Sequence, residues 1–222
     1  MTAVKPRIRR SKDESRQLIL EAAETLLRQN GPDAVNVRAV AARVGLTDAA
    51  VNHHFGTRQD LLEALLRHGG RRLKAELNAA LVQWRKTDQS VERLVEVIAD
   101  LYSDGGYAEL ALRLHLSGWR DRGAGLLSPV VDALQEMRQT AFAAAGRHRP
   151  SVFETRFIVG LMHQTLALDP LFGSAFRRSA GMERSEEPSR DRKKKLWGAI
   201  LQVLLSVDTR DRRQLVAGAE GT

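Results

Sequence analysis

The chain has 222 residues, 43% of them hydrophobic and 28% charged, a composition that reads as soluble and globular. It carries no cysteine, which excludes disulfides and thiolate metal sites, and its longest nearly apolar run, "LWGAILQVLLSV" at 196–207, falls short of the ~20 residues that span a bilayer. The formal net charge of +8 points to a polyanionic partner, nucleic acid first and an anionic membrane surface second.

Lys5, Arg7, Arg9, Arg10 and Lys12 make the N-terminus a basic arm over 1–12, with no apolar segment behind it, so no signal peptide is expected and the cytoplasm is the default location. Helical periodicity dominates the remainder of the chain and strand alternation is nearly absent, which predicts an all-α fold. A first helix starts near Ser11 to Asp13, carries Ile19, Ala22, Ala23, Leu26 and Leu27 on one stripe, and stops at "NGPD". Asn36 caps a second, in which Val37, Val40, Ala41 and Val44 recur at i, i+3, i+4 and i+7.

Gly45 stands where the chain must turn sharply, and Thr47 caps a short third helix that ends at Phe55 and Gly56. Thr57 caps a fourth, with Leu61, Leu62, Leu65 and Leu66 on its buried side, which should lose definition at Gly69 and Gly70. Further helices are expected near 71–86, 90–104, 107–118, 128–145, 151–168 and 193–207, with a mobile loop over 181–192. The expected organisation is the arm at 1–12, a helix-turn-helix at 13–60, a second helical domain at 61–208 and a tail at 209–222.

Two short helices joined by a Gly-containing turn describe a helix-turn-helix, whose second helix fits the major groove. If Val51 and Phe55 point inward, Asp48, Ala49, Asn52 and His53 point outward. Small Ala49 permits close approach, Asn52 can donate and accept together as adenine requires, and His53 can reach a base edge or a phosphate. Asp48 can accept from a cytosine amino group, or merely favour the helix dipole. His53 and His54, about 100° apart on a helix, are a poor metal pair. Enzyme signatures such as a Gly-rich phosphate loop or a helical His pair with a Glu are missing, and neither metal nor cofactor is expected.

The run "NVRAVAARVGLTDAAVNHHFGTRQDLLEALL" at 36–66 resembles the tetracycline-repressor (TetR) family of bacterial transcription regulators. The resemblance implies DNA contacts, mostly to backbone, at Thr47, Asn52, His53, His54 and Arg58; Arg38 joins them from the start of the motif, and Arg7, Arg9 and Arg10 would follow the minor groove. Asn52 replaces the usual Tyr, and Asp48 stands where Lys or Ser is common.

One helix-turn-helix reads too few base pairs for a genome, and a symmetric dimer on a palindrome of double-stranded DNA solves this. The last helix is apolar on two faces, one with Leu196, Ile200, Val203, Leu204 and Val207, the other with Trp197, Leu201 and Leu205. The expected homodimer interface comprises Phe157, Leu161, Trp197, Leu201 and Leu205, since the family dimerises through its last two long helices. The segment "YAELALRLHLSGW" is apolar over most of its circumference and should be surrounded; with neighbours it offers Tyr102, Tyr107, His115, Trp119, Met162 and His163 to a pocket for a small-molecule effector of unknown identity. Together these features predict a repressor released by its effector, with no membrane partner. The alternative is a non-specific architectural DNA-binding protein.

Overall fold

The computed structural model describes residues 11–87, 89–102, 106–120 and 125–208. Among them every regular element is helical: α1 (Lys12–Asn30), α2 (Val37–Val44), α3 (Asp48–Phe55), α4 (Arg58–Trp84), α5 (Val91–Tyr102), α6 (Tyr107–Leu116), α7 (Ser128–Ala144), α8 (Val152–Leu168), α9 (Ser174–Ser179) and α10 (Arg190–Ser206), with short 3-10 turns at Pro32–Ala34 and Arg184–Glu186 and a π turn at Asp169–Gly173. Contacts divide the chain into two compact units, 1–72 with 104–121, and 73–103 with 122–222.

The first unit is built by strong local signals. Ser11 and Glu14 cap α1 reciprocally, the Ser11 amide donating to Glu14 Oε2 at 2.7 Å and the Glu14 amide to Ser11 Oγ at 3.1 Å. Thr57 and Asp60 do the same at the start of α4, and the Thr57 hydroxyl, then its amide, donating to Asp60 Oδ2 at 2.6 and 2.9 Å, hold that carboxyl below its usual range. Ile19, Ala23 and Leu27 of α1 meet Val40, Val51, Leu61 and Leu65 in one core, closed by Leu110 and Leu114 of α6.

Two expectations fail in this unit. Helix α4 is not broken at Gly69 and Gly70 but runs through both. Gly69 is instead a seat: a Cβ there would lie 2.2 Å from Tyr107 Cε1, so the mid-helix glycine, which costs about 1 kcal/mol in propensity, admits the ring of α6. Helix α6 is also not surrounded. It buries Leu110 and Leu114 only, leaves His115 exposed, and leaves Leu116 76% exposed. A buried carboxylate, Glu24, ties α1 to α4 through Arg72 Nη1 at 2.5 Å and His68 Nε2 at 3.5 Å. The boundary expected after residue 60 lies within α4, whose next turns still pack in this unit through Leu61, Leu62 and Leu65.

In the second unit α5 packs along α10, and Gly198 permits the close approach, since a Cβ there would be 3.0 Å from Glu92 Cα. Leu94, Ile98, Leu134, Ile158, Met162, Leu201 and Leu205 form its core. Leu201 and Leu205 are therefore interior, not interface residues as expected, because that face of α10 joins the core of its own unit. Arg138 is almost wholly buried, and its guanidinium donates to the Leu205 and Val207 carbonyls, to Thr155 Oγ1 and to Glu154 Oε2. A cation is stable there because charge and donors are all matched. The segment expected as a loop is partly ordered by a similar device: Arg177 donates to Asp169 and Glu187, Lys193 Nζ lies 3.0 Å from Asp169, and α10 begins at Arg190.

Candidate nucleic-acid interface

The geometry of α2 and α3 depends on three small residues. Asn36 Oδ1 accepts from the Ala39 amide at 2.9 Å and opens α2. Gly45 takes a left-handed conformation, φ 68° and ψ 33°, which turns the chain after one amide bond back into α2. Thr47 Oγ1 then accepts from the Ala50 amide at 3.2 Å and opens α3. Val51 is fully buried and Phe55 nearly so, which pins one face of α3 to the core. Asp48, Ala49, Asn52 and His53 stand on the opposite, exposed side, and Thr47 and Arg38 are exposed as well. The outward set inferred from helical periodicity is the set at the surface.

Two residues in the motif behave differently from expectation. Arg58 remains exposed, but its Nε donates to the Val35 carbonyl at 2.9 Å and its Nη2 to the Pro32 carbonyl at 3.0 Å. Its guanidinium thus satisfies the turn between α1 and α2, and those two donors are not offered to a phosphate. His54 is half-buried, with Nδ1 out of solvent and without a hydrogen-bond partner among the described residues. Burial, followed by the charges of His53, Lys12 and Arg16, lowers its pKa below the ordinary 6.5, so the ring is neutral at neutral pH. Its ring meets that of His53 edge-on at 5.7 Å. Arg7, Arg9 and Arg10 lie outside the described residues.

Sequence reasoning missed Arg16. From α1 its Nη1 donates to the His54 carbonyl at 2.6 Å, and its Cζ stands 4.2 Å from the centre of the Phe55 ring. Nothing in the primary structure marks it beyond being a base at the edge of an apolar stripe.

Of the six residues expected around an effector, Tyr107, His115 and Trp119 lie in the first unit and Tyr102, Met162 and His163 in the second. Tyr107 and Trp119 pack against the core of the first unit, and His115 is exposed. In the second unit Tyr102 and His163 stack at 5.1 Å with their rings 24° apart, near the core residue Met162. The Tyr102 hydroxyl is buried without a partner among the described residues, and its pKa is raised by burial; burial also lowers that of His163. Among the described residues no group of His, Asp and Glu is arranged to hold a metal ion, and no helix is long and apolar enough to cross a membrane.

For the first unit, comparison with known proteins is decisive. Residues 19–65 match the profile of bacterial regulatory proteins of the tetR family. The N-terminal helices are similar to those of the tetR family. BetI, an HTH-type transcriptional regulator of Brucella anthropi, is 33% identical over 94 residues, which are 42% of this chain and 47% of that protein. The HTH-type transcriptional repressor Rv3405c of Mycobacterium tuberculosis is 34% identical over 98 residues, covering 42% and 52%. The chain thus spans about half the length of the curated relatives it matches.

Likeness of fold extends further. A TetR-family protein of Streptomyces coelicolor, SCO1917, aligns with 87% of this chain and 99% of its own at a TM-score of 0.52 and 23% identity. The multidrug binding protein EbrR complexed with ethidium aligns with 86% and 98% at a TM-score of 0.51 and 25% identity. The tetR-type arrangement, an N-terminal helix-turn-helix followed by a helical C-terminal domain, is therefore the fold class of this chain.

Proposed function

We propose that the protein is a transcriptional regulator that binds a palindromic site in double-stranded DNA as a homodimer and releases it when a small molecule binds. The observation that carries this reading is α3: a helix capped by Thr47, anchored by Val51 and Phe55, and exposed along Asp48, Ala49, Asn52 and His53. In the major groove Asn52 and His53 would meet base edges, while Thr47 and Arg38 would meet phosphates, with Arg7, Arg9 and Arg10 reaching the minor groove.

Dimerisation is supported by an apolar surface left exposed among the described residues. Phe153, Phe157 and Leu161 of α8 and Leu196, Ile200 and Val203 of α10 are each between 41 and 72% exposed. The interface is accordingly assigned to Phe157 and Leu161, with Trp197 at its edge, and on α10 to the face opposite Leu201 and Leu205.

An effector site is proposed around Tyr102, Met162 and His163. The unpartnered Tyr102 hydroxyl and the neutral imidazole of His163 offer hydrogen bonds without charge, and EbrR, of like fold, is described in complex with imidazole and with ethidium. Release would occur by linkage, the effector favouring a conformation of the dimer with weaker DNA affinity.

Selection of bound fragments from random DNA by the purified chain tests the reading. An enriched palindrome with half-sites about 34–36 Å apart, or a multiple, is expected. Equal recovery of all sequences, with affinity that varies with salt alone, would mean an architectural DNA binder instead.

A further inference from the structure

We infer that Arg16 is a positioning residue for the recognition helix, setting sequence selectivity while leaving general DNA affinity alone. The inference rests on the reading of α3 as the helix that enters DNA. An eight-residue helix has almost no internal backbone bonds to spare, because its first four amides and last four carbonyls lack partners within it. Its pose therefore depends on what grips its two ends and its buried face.

Thr47 holds the N-terminal end, Val51 and Phe55 hold the face, and the Gly56 amide donates to the Asn52 carbonyl at 2.7 Å. Arg16 supplies the remaining grip. Its Nη1 reaches the His54 carbonyl, at the end of the helix where the dipole is negative and a cationic donor is favoured. The same guanidinium lies against the Phe55 ring, so one rigid plane from α1 touches two consecutive residues of α3. A single contact would allow the helix to roll about it; two contacts at adjacent positions fix both the depth and the roll.

Roll matters unequally for the two kinds of DNA contact. Hydrogen bonds to base edges hold over a few tenths of an ångström and weaken steeply with angle. Phosphate contacts act chiefly through charge and tolerate displacement. A small rotation of α3 would carry Asn52 and His53 off their bases while the phosphate contacts survived.

The test uses the full chain with Arg16→Met and Arg16→Lys, assayed on the selected duplex and on a scrambled one, across a range of salt. For Arg16→Met, at temperatures well below its melting transition, affinity for the scrambled duplex should stay within about twofold. Preference for the selected sequence should fall by about tenfold, the scale of one lost base contact, with an unchanged salt slope. Arg16→Lys keeps a cationic donor but loses the planar stack, and should recover part of the preference.

Equal losses on both duplexes with a slope reduced by about 0.9 would make Arg16 a phosphate ligand and overturn the inference. Unchanged preference in Arg16→Met would overturn it too. Should Arg16→Met fail to fold, Arg16→Lys decides: lowered preference at the wild-type slope supports the role, and wild-type preference rejects it. A wild-type chain with no sequence preference would instead remove the reading of α3 itself, a separate outcome.

Discussion

At the scale of single residues, the surroundings a side chain meets decide its role more than residue type does. Arg58 sits in a motif whose basic residue is expected on DNA, yet two of its donors close the Pro32 and Val35 carbonyls. Arg58→Ala should therefore lower stability by about 0.5–1.5 kcal/mol in urea denaturation, the net worth of hydrogen bonds from an exposed arginine to backbone carbonyls. Its salt slope for DNA should match the wild type; a slope lower by about one unit would restore Arg58 to the DNA surface. His163 carries a second prediction. Its pKa in the folded chain is below the ordinary 6.5 because burial disfavours the imidazolium. As pH falls through 6.5 the unfolded chain gains a proton that the folded chain does not, so stability declines until the folded ring itself titrates. His163→Phe, which keeps a ring against Tyr102, should shrink the difference in urea midpoint between about pH 7 and about pH 5. An undiminished difference would mean that the acid sensitivity arises elsewhere, and His54, lowered in the same direction, is then the candidate.

At the scale of elements, the two adjacent glycines of α4 show how one residue type can serve opposite purposes. Both have helical surroundings, and on propensity alone both are weak points. A side chain at Gly69 would collide with Tyr107, whereas one at Gly70 would meet nothing within 4 Å. Gly69→Ala should destabilise by about 1–3 kcal/mol, through displacement of α6. Gly70→Ala should stabilise by about 0.5–1 kcal/mol by reducing the freedom of the unfolded chain. Denaturation of the two single variants, side by side, checks both signs; a shared sign would contradict the packing of Tyr107 on α4. Helix α10 makes the same point on a larger footprint. Both of its faces are apolar in sequence, and only packing against α5, α8 and α7 determines that Leu201 and Leu205 go inside while Ile200 and Val203 remain at the surface.

For the molecule as a whole, the uncovered faces of α8 and α10 lead to the prediction on assembly. Phe157→Asp or Ile200→Asp places a charge in the centre of the proposed interface without touching the core of its own unit. Light scattering should show a shift from dimer to monomer, and affinity for a palindrome should fall far more than affinity for a single half-site. A variant that stays dimeric would move the interface elsewhere.

Local signals alone determined a great deal of this protein. The capping residues Ser11, Asn36, Thr47 and Thr57, the turn at Gly45, and the alternation of Val51 and Phe55 with Asn52 and His53 act through bonds and periodicities spanning a few positions, so the helix-turn-helix and its outward face are legible in the chain itself. Only tertiary structure decided that α4 runs on through its glycines, that α6 joins the first core, that Arg58 donates to the turn before α2, and that Arg16 grips α3 from 38 positions away. Those outcomes depend on which surface arrives beside a residue, and no pattern confined to one helix encodes its neighbour.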